Sequence, residues 1–523
     1  MANLPIVDLA GDQLQVKFSY NARHIHQVRI LGHAHWDPIA RSWSLPYSQL
    51  MLSSLKRIFP GLVLGKALQE TSGQASQLEE AEQSYKDRQL STEVNDFKFA
   101  TLPYTHQLAA FNFCRRLPQS ALFLEQGLGK AKVLIDLAAW RWKQGQIKCV
   151  LVVCPNSVTG QWVEELQKHG HAGFKQAVVL QGSSSKRAQV LKELYEQQHD
   201  GWVITNYDSL RGLFPFLYKL QACPQKLFEM MVLDESSKIK HAAAQRSKLS
   251  WKLGQTVTYR SILTGTPITQ GAEDIFSQYR FLKPEIFGDY ATPFRATYLI
   301  MGGFEERQVI GYKNTSDLLK KTYSIAVRFT KDQCLDLPPK TYQTRYAQLS
   351  EELSRKYTQL EKECVLEFKG TTIAAPLLMA KLVKLSQLAS GFIYEQGSDG
   401  QRVCTHTFTP NAKLVVLEEI LSEAVGQKVI VWCRFKEELR QARELLAKLK
   451  LSIVELSGDV PAKDRAGIVR AFQTDPACRV LLGQITTGGL GITLTAASLV
   501  IYISNTYSLE DRLQSEDRCH RIG

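Results

Sequence analysis

The sequence predicts an α/β architecture: two lobes, each a parallel sheet flanked by helices, joined by a helical region and preceded by a small α+β module. Three observations carry this expectation. From Phe97 onward short apolar runs recur at Ala121–Leu124, Val150–Val153, Val203–Thr205, Met231–Leu233 and Ser261–Leu263, separated by amphipathic stretches. Strands alternating with helices imply parallel pairing through crossovers. The pattern restarts after Lys413, at Val429–Trp432, Ser452–Leu456, Val480–Leu482 and Val500–Ile503, and the intervening residues 270–410 read as mostly helical or irregular.

Taken in order, residues 1–62 form the first module. Leu14–Ile30 alternates apolar and polar residues as a strand or hairpin does, and Gly32 punctuates it. Trp36-Asp37-Pro38 and Trp43-Ser44-Leu45-Pro46 follow, and Leu50–Phe59 has the apolar spacing of a helix that stops at Pro60-Gly61. Residues 63–96 are the linker, and from 66 to 96 they almost lack large apolar side chains, which predicts a solvated segment. Residues 97–285 make the first lobe, 286–410 the inter-lobe region and 411–523 the second lobe. His24, His26, His33 and His35 form two H-x-H units around Gly32. Solvated strand histidines are the default reading, and a Zn²⁺ site is the alternative, without a supporting cysteine or carboxylate cluster.

The 523 residues carry a formal net charge of +13 and a pI near 9.1, which favours a polyanionic partner. With 44% hydrophobic and 22% charged residues, the composition excludes a disordered, collagen-like or disulfide-stapled chain. No apolar stretch reaches the roughly 18 residues of a membrane span. The N-terminus lacks the basic-then-apolar pattern of a secretory signal. Ten cysteines without a C-x-x-C pair fit free thiols in a reducing compartment. No basic run longer than two residues reads as a nuclear signal, so the expected location is cytoplasmic, bacterial or viral and nucleoid-associated, or nuclear if the source is a eukaryote.

Four segments carry chemistry. Glu125-Gln126-Gly127-Leu128-Gly129-Lys130-Ala131 follows a strand and opens a helix over Lys132–Trp142. Glycines let backbone N–H groups close around phosphate oxygens, the helix N-terminus adds partial positive charge, and a lysine neutralises phosphates. The pattern G-x-x-x-x-G-K-[ST] is incomplete, with Leu124 at its first glycine and Ala131 at the Mg²⁺-binding hydroxyl, so a plain glycine turn stays open. Met231-Val232-Leu233-Asp234-Glu235 ends a buried strand in two carboxylates, where Asp suits Mg²⁺ and Glu suits a water. The competing reading is a helix cap, with Asp234 or Ser236 opening a helix over Ser237–Ala244. Leu263-Thr264-Gly265-Thr266-Pro267 follows another strand and also reads as a simple turn. Gln514-Ser515-Glu516-Asp517-Arg518-Cys519-His520-Arg521 places two arginines at i, i+3 on one helical face, as arginine fingers or as a solvated basic face.

Order and spacing make these segments specific: about 105 residues from Lys130 to Asp234, about 30 more to Thr264, then about 250 to Arg518. Over roughly residues 100–523 the chain resembles the superfamily 2 helicase-like ATPases, and within them the Swi/Snf (sucrose-nonfermenting) family of DNA translocases. The resemblance implies two RecA-like lobes with helical insertions, ATP and Mg²⁺ as cofactors, and DNA as partner. Leu102-Pro103-Tyr104-Thr105-His106-Gln107 is similar to the Q motif, so Gln107 reads adenine. Gly127, Gly129, Lys130 and Ala131 hold the nucleotide, Asp234 the Mg²⁺, and Glu235 the water. Asp234-Glu235-Ser236-Ser237-Lys238-Ile239-Lys240 resembles the family's DES-x-x-IK form of motif II. Pro155, Asn156 and Ser157, with Trp162, resemble motif Ia, and Thr205, Asn206 and Tyr207 motif Ib, both against the DNA backbone. Thr264, Gly265 and Thr266 resemble motif III, which couples nucleotide to DNA. Asp336-Leu337-Pro338-Pro339-Lys340 resembles the inter-lobe connector, and Lys428–Phe435 motif IV. Thr487, Gly488 and Gly489 resemble motif V on DNA, and Gln514, Arg518 and Arg521 resemble motif VI.

The Trp36 and Trp43 segments resemble the HARP (HepA-related protein) domain of annealing helicases, with Arg23, Arg29 and Arg41 as phosphate contacts. Two departures qualify the resemblance. Ala131 offers Mg²⁺ no oxygen, which predicts weakened turnover. The chain stops at Gly523, within motif VI, which predicts loosely held arginines. The resulting expectation is a DNA-dependent ATPase acting on duplex, forked or partly single-stranded DNA, in fork remodelling, strand annealing or repair. A nucleotide-gated DNA binder and an ATPase subunit of a defence or restriction-like assembly are the alternatives.

Overall fold

The computed structural model describes the chain apart from residues 1–4, 11–12, 32–33, 39, 47–48, 60, 66–89, 269–270, 303–307, 369–374, 397–401, 489–491 and 522–523. It forms two compact units, one of Met1–Glu125, Gly129–Cys154 and Glu165–Phe329, the other of Gln126–Leu128, Pro155–Glu164 and Thr330–Gly523.

The N-terminal module is a five-stranded sheet with two helices. Strands β1 (Ile6–Ala10), β2 (Gln13–Lys17), β3 (His35–Asp37), β4 (Ser42–Pro46) and β5 (Val63–Leu64) take the order β3-β4-β2-β1-β5. β5 lies parallel to β1, so the sheet runs past residue 62 into the expected linker. Val7, Leu14, Val16, Val28, Trp43, Leu45, Leu52, Leu55 and Phe59 form its core. The reading of Leu14–Ile30 as a strand or hairpin holds only for Gln13–Lys17, because Ala22–Ile30 is a helix. Asn21 starts it: its Oδ1 accepts the His24 N–H at 3.2 Å and its carbonyl the Ile25 N–H at 2.9 Å. The first H-x-H pair therefore lies on a helix, where the His24 ring packs edge-on against Phe59 at 4.8 Å. His33 lies outside the described residues, and among the described residues no group of three or more His, Cys, Asp or Glu side chains could hold a metal ion.

The first lobe is built on seven parallel strands: β6 (Gln119–Leu124), β7 (Cys149–Cys154), β8 (Ala177–Val179), β9 (Gly201–Asn206), β10 (Met230–Asp234), β11 (Tyr259–Leu263) and β14 (Ala326–Phe329). Their order is β14-β6-β11-β10-β7-β9-β8. Every residue of β7 is buried, the continuous apolar run of a strand covered on both faces. β14 pairs with β6, so the sheet draws a strand from residues expected to belong to the inter-lobe region. That region is also not purely helical. It holds the hairpins β12–β13 (Leu299–Gly302, Gln308–Tyr312) and β15–β16 (Phe392–Gln396, Arg402–Thr407), beside helices Glu351–Phe368 and Ala375–Ala389.

The order of the sheet positions the site. β6 and β7 follow each other in sequence, yet β11 and β10 stand between them. Such a break in strand order is where open α/β sheets place a ligand, beyond the carboxyl ends of the strands, here β6, β11 and β10.

The second lobe has four parallel strands, β17 (Val429–Cys433), β18 (Ile453–Leu456), β19 (Val480–Gln484) and β20 (Leu499–Tyr502), in the order β18-β19-β17-β20. β17 is buried throughout, with Trp432 fully enclosed.

Candidate active site

Three loops leave neighbouring strands at one end of the first sheet. β6 leads to Glu125–Gly129, and helix Lys130–Lys143 follows directly with Gly129 as its cap. Gly127 and Gly129 have φ of +89° and +78°, a left-handed conformation that a side chain disfavours. Gly129 is constrained a second way: a Cβ there would stand 2.3 Å from Gln107 Nε2. Gln107 is itself fixed, since its Oε1 accepts the Tyr104 N–H at 3.0 Å at the start of helix Thr105–Cys114. The Gln107 amide thus faces the glycine loop. Lys130 Nζ donates to the Leu124 carbonyl at 3.0 Å, which keeps the ammonium at the mouth of the loop. Strand, left-handed glycines and helix N-terminus in direct succession are the arrangement that receives an anion. Ala131 adds no oxygen to it.

Sequence reasoning missed the next layer. Lys132 and Asp136 form an ion pair at 2.5 Å on the buried face of the same helix, with 4% and 3% of their side chains exposed. Burial pushes the Asp136 carboxyl up to about 6, against the pull of Lys132. The signal was an i, i+4 Lys–Asp pair whose Asp136 interrupts the apolar run from Val133 to Ala139.

β10 ends in the two carboxylates. Asp234 is paired with Leu263 of β11, and Leu263 with Leu122 of β6, so the three loops start side by side. Glu235 takes φ 48° and ψ 57°, a left-handed conformation that a non-glycine residue adopts at a cost of about 1–3 kcal/mol. Its N–H donates to Asp234 Oδ1 at 2.9 Å. Its Oε2 is buried and has no hydrogen-bond partner in the protein. An unpaired buried carboxylate oxygen costs at least about 1–3 kcal/mol, so folding alone does not favour it. The helix-cap alternative does not form. Residues Ser236–Ile239 make one short 3-10 turn with no side-chain cap, and the next helix is Gln245–Gly254.

β11 leads to Thr264, Gly265 and Thr266. Thr264 is fully buried; its N–H donates to the Leu122 carbonyl at 3.1 Å and its Oγ1 accepts the Thr266 N–H at 3.1 Å. That hydroxyl ties the loop back on itself, at the end of the strand between β6 and β10.

The expected DNA contacts divide. Asn156 and Ser157 are exposed and Pro155 is half-buried on a short turn after β7. Thr205 and Tyr207 are buried, at 1% and 4% exposure. Tyr207 instead donates its hydroxyl to the Asp234 carbonyl at 2.8 Å. Asn206 caps the following turn, its Oδ1 accepting the Ser209 N–H at 2.9 Å. In the second lobe Thr487 is likewise turned inward, its hydroxyl serving the Leu456 and Gln484 carbonyls at 2.9 and 2.6 Å. Gly488 ends the short helix Ile485–Gly488, and Gly489 lies outside the described residues.

Motif VI differs from its sequence reading in two ways. Its helix is Leu509–Glu516, so Gln514 is helical but Arg518 and Arg521 lie in the turns beyond, not on one helical face. Side chains take the backbone carbonyls there: Arg521 Nε donates to the Asp517 carbonyl at 2.8 Å and Lys331 Nζ to the His520 carbonyl at 2.8 Å. Nor is the segment loosely held. Asp517 Oδ1 receives Lys331 Nζ at 2.7 Å and Lys340 Nζ at 2.9 Å, Glu516 accepts Tyr342 OH at 2.9 Å, and His520 Nε2 meets the Pro338 carbonyl at 2.9 Å. Burial raises the Asp517 carboxyl, but the two lysines outweigh it and hold the group below the usual carboxylate range. Arg518 is buried, with its carbonyl accepting the Leu494 N–H at 2.8 Å.

A left-handed glycine loop at a helix start, with an acidic pair on the next strand but one of a parallel sheet, is the arrangement expected of a helicase-like ATPase lobe. The model of the SNF2-related domain matches residues 106–391, more than half of the chain, and that of the helicase conserved C-terminal domain matches residues 412–523. The chain belongs to the SNF2-related family. It is 22% identical over 537 residues to a Caenorhabditis elegans homolog of the SWI/SNF-related matrix-associated actin-dependent regulator of chromatin subfamily A-like protein 1, covering 98% of this chain and 70% of that protein. It is 25% identical over 409 residues to the DNA annealing helicase and endonuclease ZRANB3 of Bos taurus, covering 76% of this chain and 35% of that one. The Sulfolobus solfataricus SWI2/SNF2 ATPase core, solved in complex with dsDNA, is 24% identical with a TM-score of 0.41, over 80% of this chain and 84% of that chain. The chain spans 22% of the length of other, longer curated relatives that it matches. Among the described residues no helix is long and apolar enough to cross a membrane.

Proposed function

We propose that this chain hydrolyses ATP on DNA as a translocase. The observation that carries the reading is the buried, unpartnered Glu235 Oε2 held next to Asp234 on the strand face that also presents the Lys130 loop. The residues present fit Mg·ATP: Lys130 and the N–H groups at the helix start suit the phosphates, and Asp234 suits the ion. Mg²⁺, when bound, neutralises charge on the phosphate oxygens. Glu235 orients a water and accepts its proton, and its left-handed backbone keeps the carboxylate at the end of β10. Arg518 and Arg521 stabilise charge on the transferred phosphoryl group, and the brace on Asp517 holds the turn that carries them.

DNA as the partner is supported by the net charge of +13 and by the likeness to the bovine DNA annealing helicase and endonuclease. The N-terminal module favours forked or partly single-stranded DNA and strand annealing. Its Trp36 is 50% exposed, 5.5 Å from the Trp43 ring, and the Arg29 guanidinium stands 5.5 Å over Trp43. An exposed aromatic beside cations is a stacking surface for unpaired bases. Ala131 favours a second reading, a DNA binder gated by nucleotide with little turnover.

Steady-state ATPase with Mg²⁺, comparing no DNA with single-stranded, duplex and forked DNA, separates the two. Stimulation by DNA is expected, and its loss in Lys130→Ala and Glu235→Gln. Full DNA-stimulated turnover in either variant refutes the site assignment.

A further inference from the structure

The structure assigns Gln278 as the positioning residue for Glu235. This inference rests on the ATPase reading above. Gln278 lies on helix Glu273–Leu282 and is completely buried, with Asp274 and Ser277 beside it at 5% and 3% exposure. Its Nε2 donates to the Pro267 carbonyl at 2.9 Å and to the Asp274 carbonyl at 2.8 Å. Its Oε1 accepts the Ser236 hydroxyl at 2.6 Å.

The amide has one permitted orientation. Both groups facing Nε2 are carbonyls, which only accept, so the oxygen must point to Ser236 and the Ser236 hydroxyl must donate. Ser236 is fully buried and immediately follows the strained Glu235. A left-handed non-glycine residue relaxes unless its surroundings hold it. One side is held by the Asp234 carboxylate on the Glu235 N–H. Gln278 holds the other, through Ser236, and it anchors that hold on Pro267 at the end of the Thr264–Pro267 loop. One buried amide therefore makes two of the three strand-end loops move together, without itself reaching the nucleotide. Sequence alone gave a faint signal: three polar residues on the buried face of a helix otherwise built of Ile275, Phe276, Tyr279, Phe281 and Leu282.

The test compares the wild type with Ser236→Ala, Gln278→Met and the double variant. Methionine keeps the shape and removes the hydrogen bonds; the double variant leaves no hydroxyl stranded, and the Pro267 carbonyl left without its donor costs about 1–3 kcal/mol. Because misplacing a reacting group by about 1 Å costs on the order of 10²-fold, kcat is expected to fall ~10–100-fold in each single variant. KM for ATP should stay within about twofold, since the residue binds no nucleotide. The double variant should stay folded, destabilised by no more than Gln278→Met alone, yet lose no more kcat than either single one, as members of one unit do. A folded double variant with wild-type kcat overturns the inference, as do multiplicative losses or kcat and KM changing together. A wild type without ATP turnover refutes the underlying site reading instead, and the inference with it.

Discussion

Replacing Asp517 by alanine should release the turn that carries Arg518 and Arg521. The carboxylate sits 2.7 Å from Lys331 Nζ and 2.9 Å from Lys340 Nζ, with side-chain exposures of 16%, 5% and 28% respectively. Removing one partner of a buried pair costs about 3–5 kcal/mol, because the other charge is left without compensation. Lys331 keeps the His520 carbonyl at 2.8 Å, and Lys340 is partly solvated, so the lower end, about 3 kcal/mol, applies here. Hydrogen exchange across residues 509–521 reads this locally, and about 3 kcal/mol corresponds to exchange faster by on the order of 10². The double variant Lys331→Met with Asp517→Ala removes the stranded buried charge and should recover most of the protection. Exchange in Asp517→Ala within about threefold of wild type would show that the brace does not hold the turn. The pH dependence has a fixed sign. The folded pKa of Asp517 lies below its unfolded value, so its contribution is complete above about pH 4 and is lost as the pH falls through the folded pKa.

Ala131→Thr should supply the missing oxygen and raise kcat by ~10–100-fold at fixed Mg²⁺, measured as ATPase; an unchanged rate would show that the hydroxyl is dispensable here. His169 is held down to about 4, first by burial and then by Lys132 and Lys168, while its Nδ1 lies 2.6 Å from Thr101 Oγ1. A base with a depressed folded pKa stabilises fully above its unfolded pKa, so urea stability should drop by about 2–3 kcal/mol between pH 6.5 and 4, and this slope should flatten in His169→Gln. Trp36→Ala should weaken single-stranded DNA binding by about 1–3 kcal/mol while leaving DNA-free ATPase unchanged, and equal affinity would remove the stacking role.

The fold was legible where burial is two-sided. All nine strands read from apolar runs are present, because parallel strands packed between helices, such as β7 and β17, are mostly apolar. β8 and β14 escaped notice because three and four residues are too few to show a pattern. The helix Ala22–Ile30 was missed because its Asn21 cap was read as part of an alternating run. Of the site, the backbone-forming residues were legible, since a loop that needs left-handed φ demands glycine at 127 and 129. What the sequence hid was long-range polar pairing. Lys331 with Asp517 and Ser236 with Gln278 are ordinary surface-type residues until the fold brings them together.

The position of β6 in its sheet sets a timetable for the chain's birth. The strand that presents the nucleotide loop pairs on one side with β11, beginning where Gln119 faces Arg260, and on the other with β14, where Ala121 faces Ala326. Both neighbours are made long after it, the second about 200 residues later. At ~5–20 residues per second, the apolar run Ala121–Leu124 waits on the order of 10–40 s for its last neighbour. Until then an uncharged strand edge is left open on an unfinished sheet. The nascent chain is therefore expected to be most prone to aggregation between the emergence of β6 and that of Phe329.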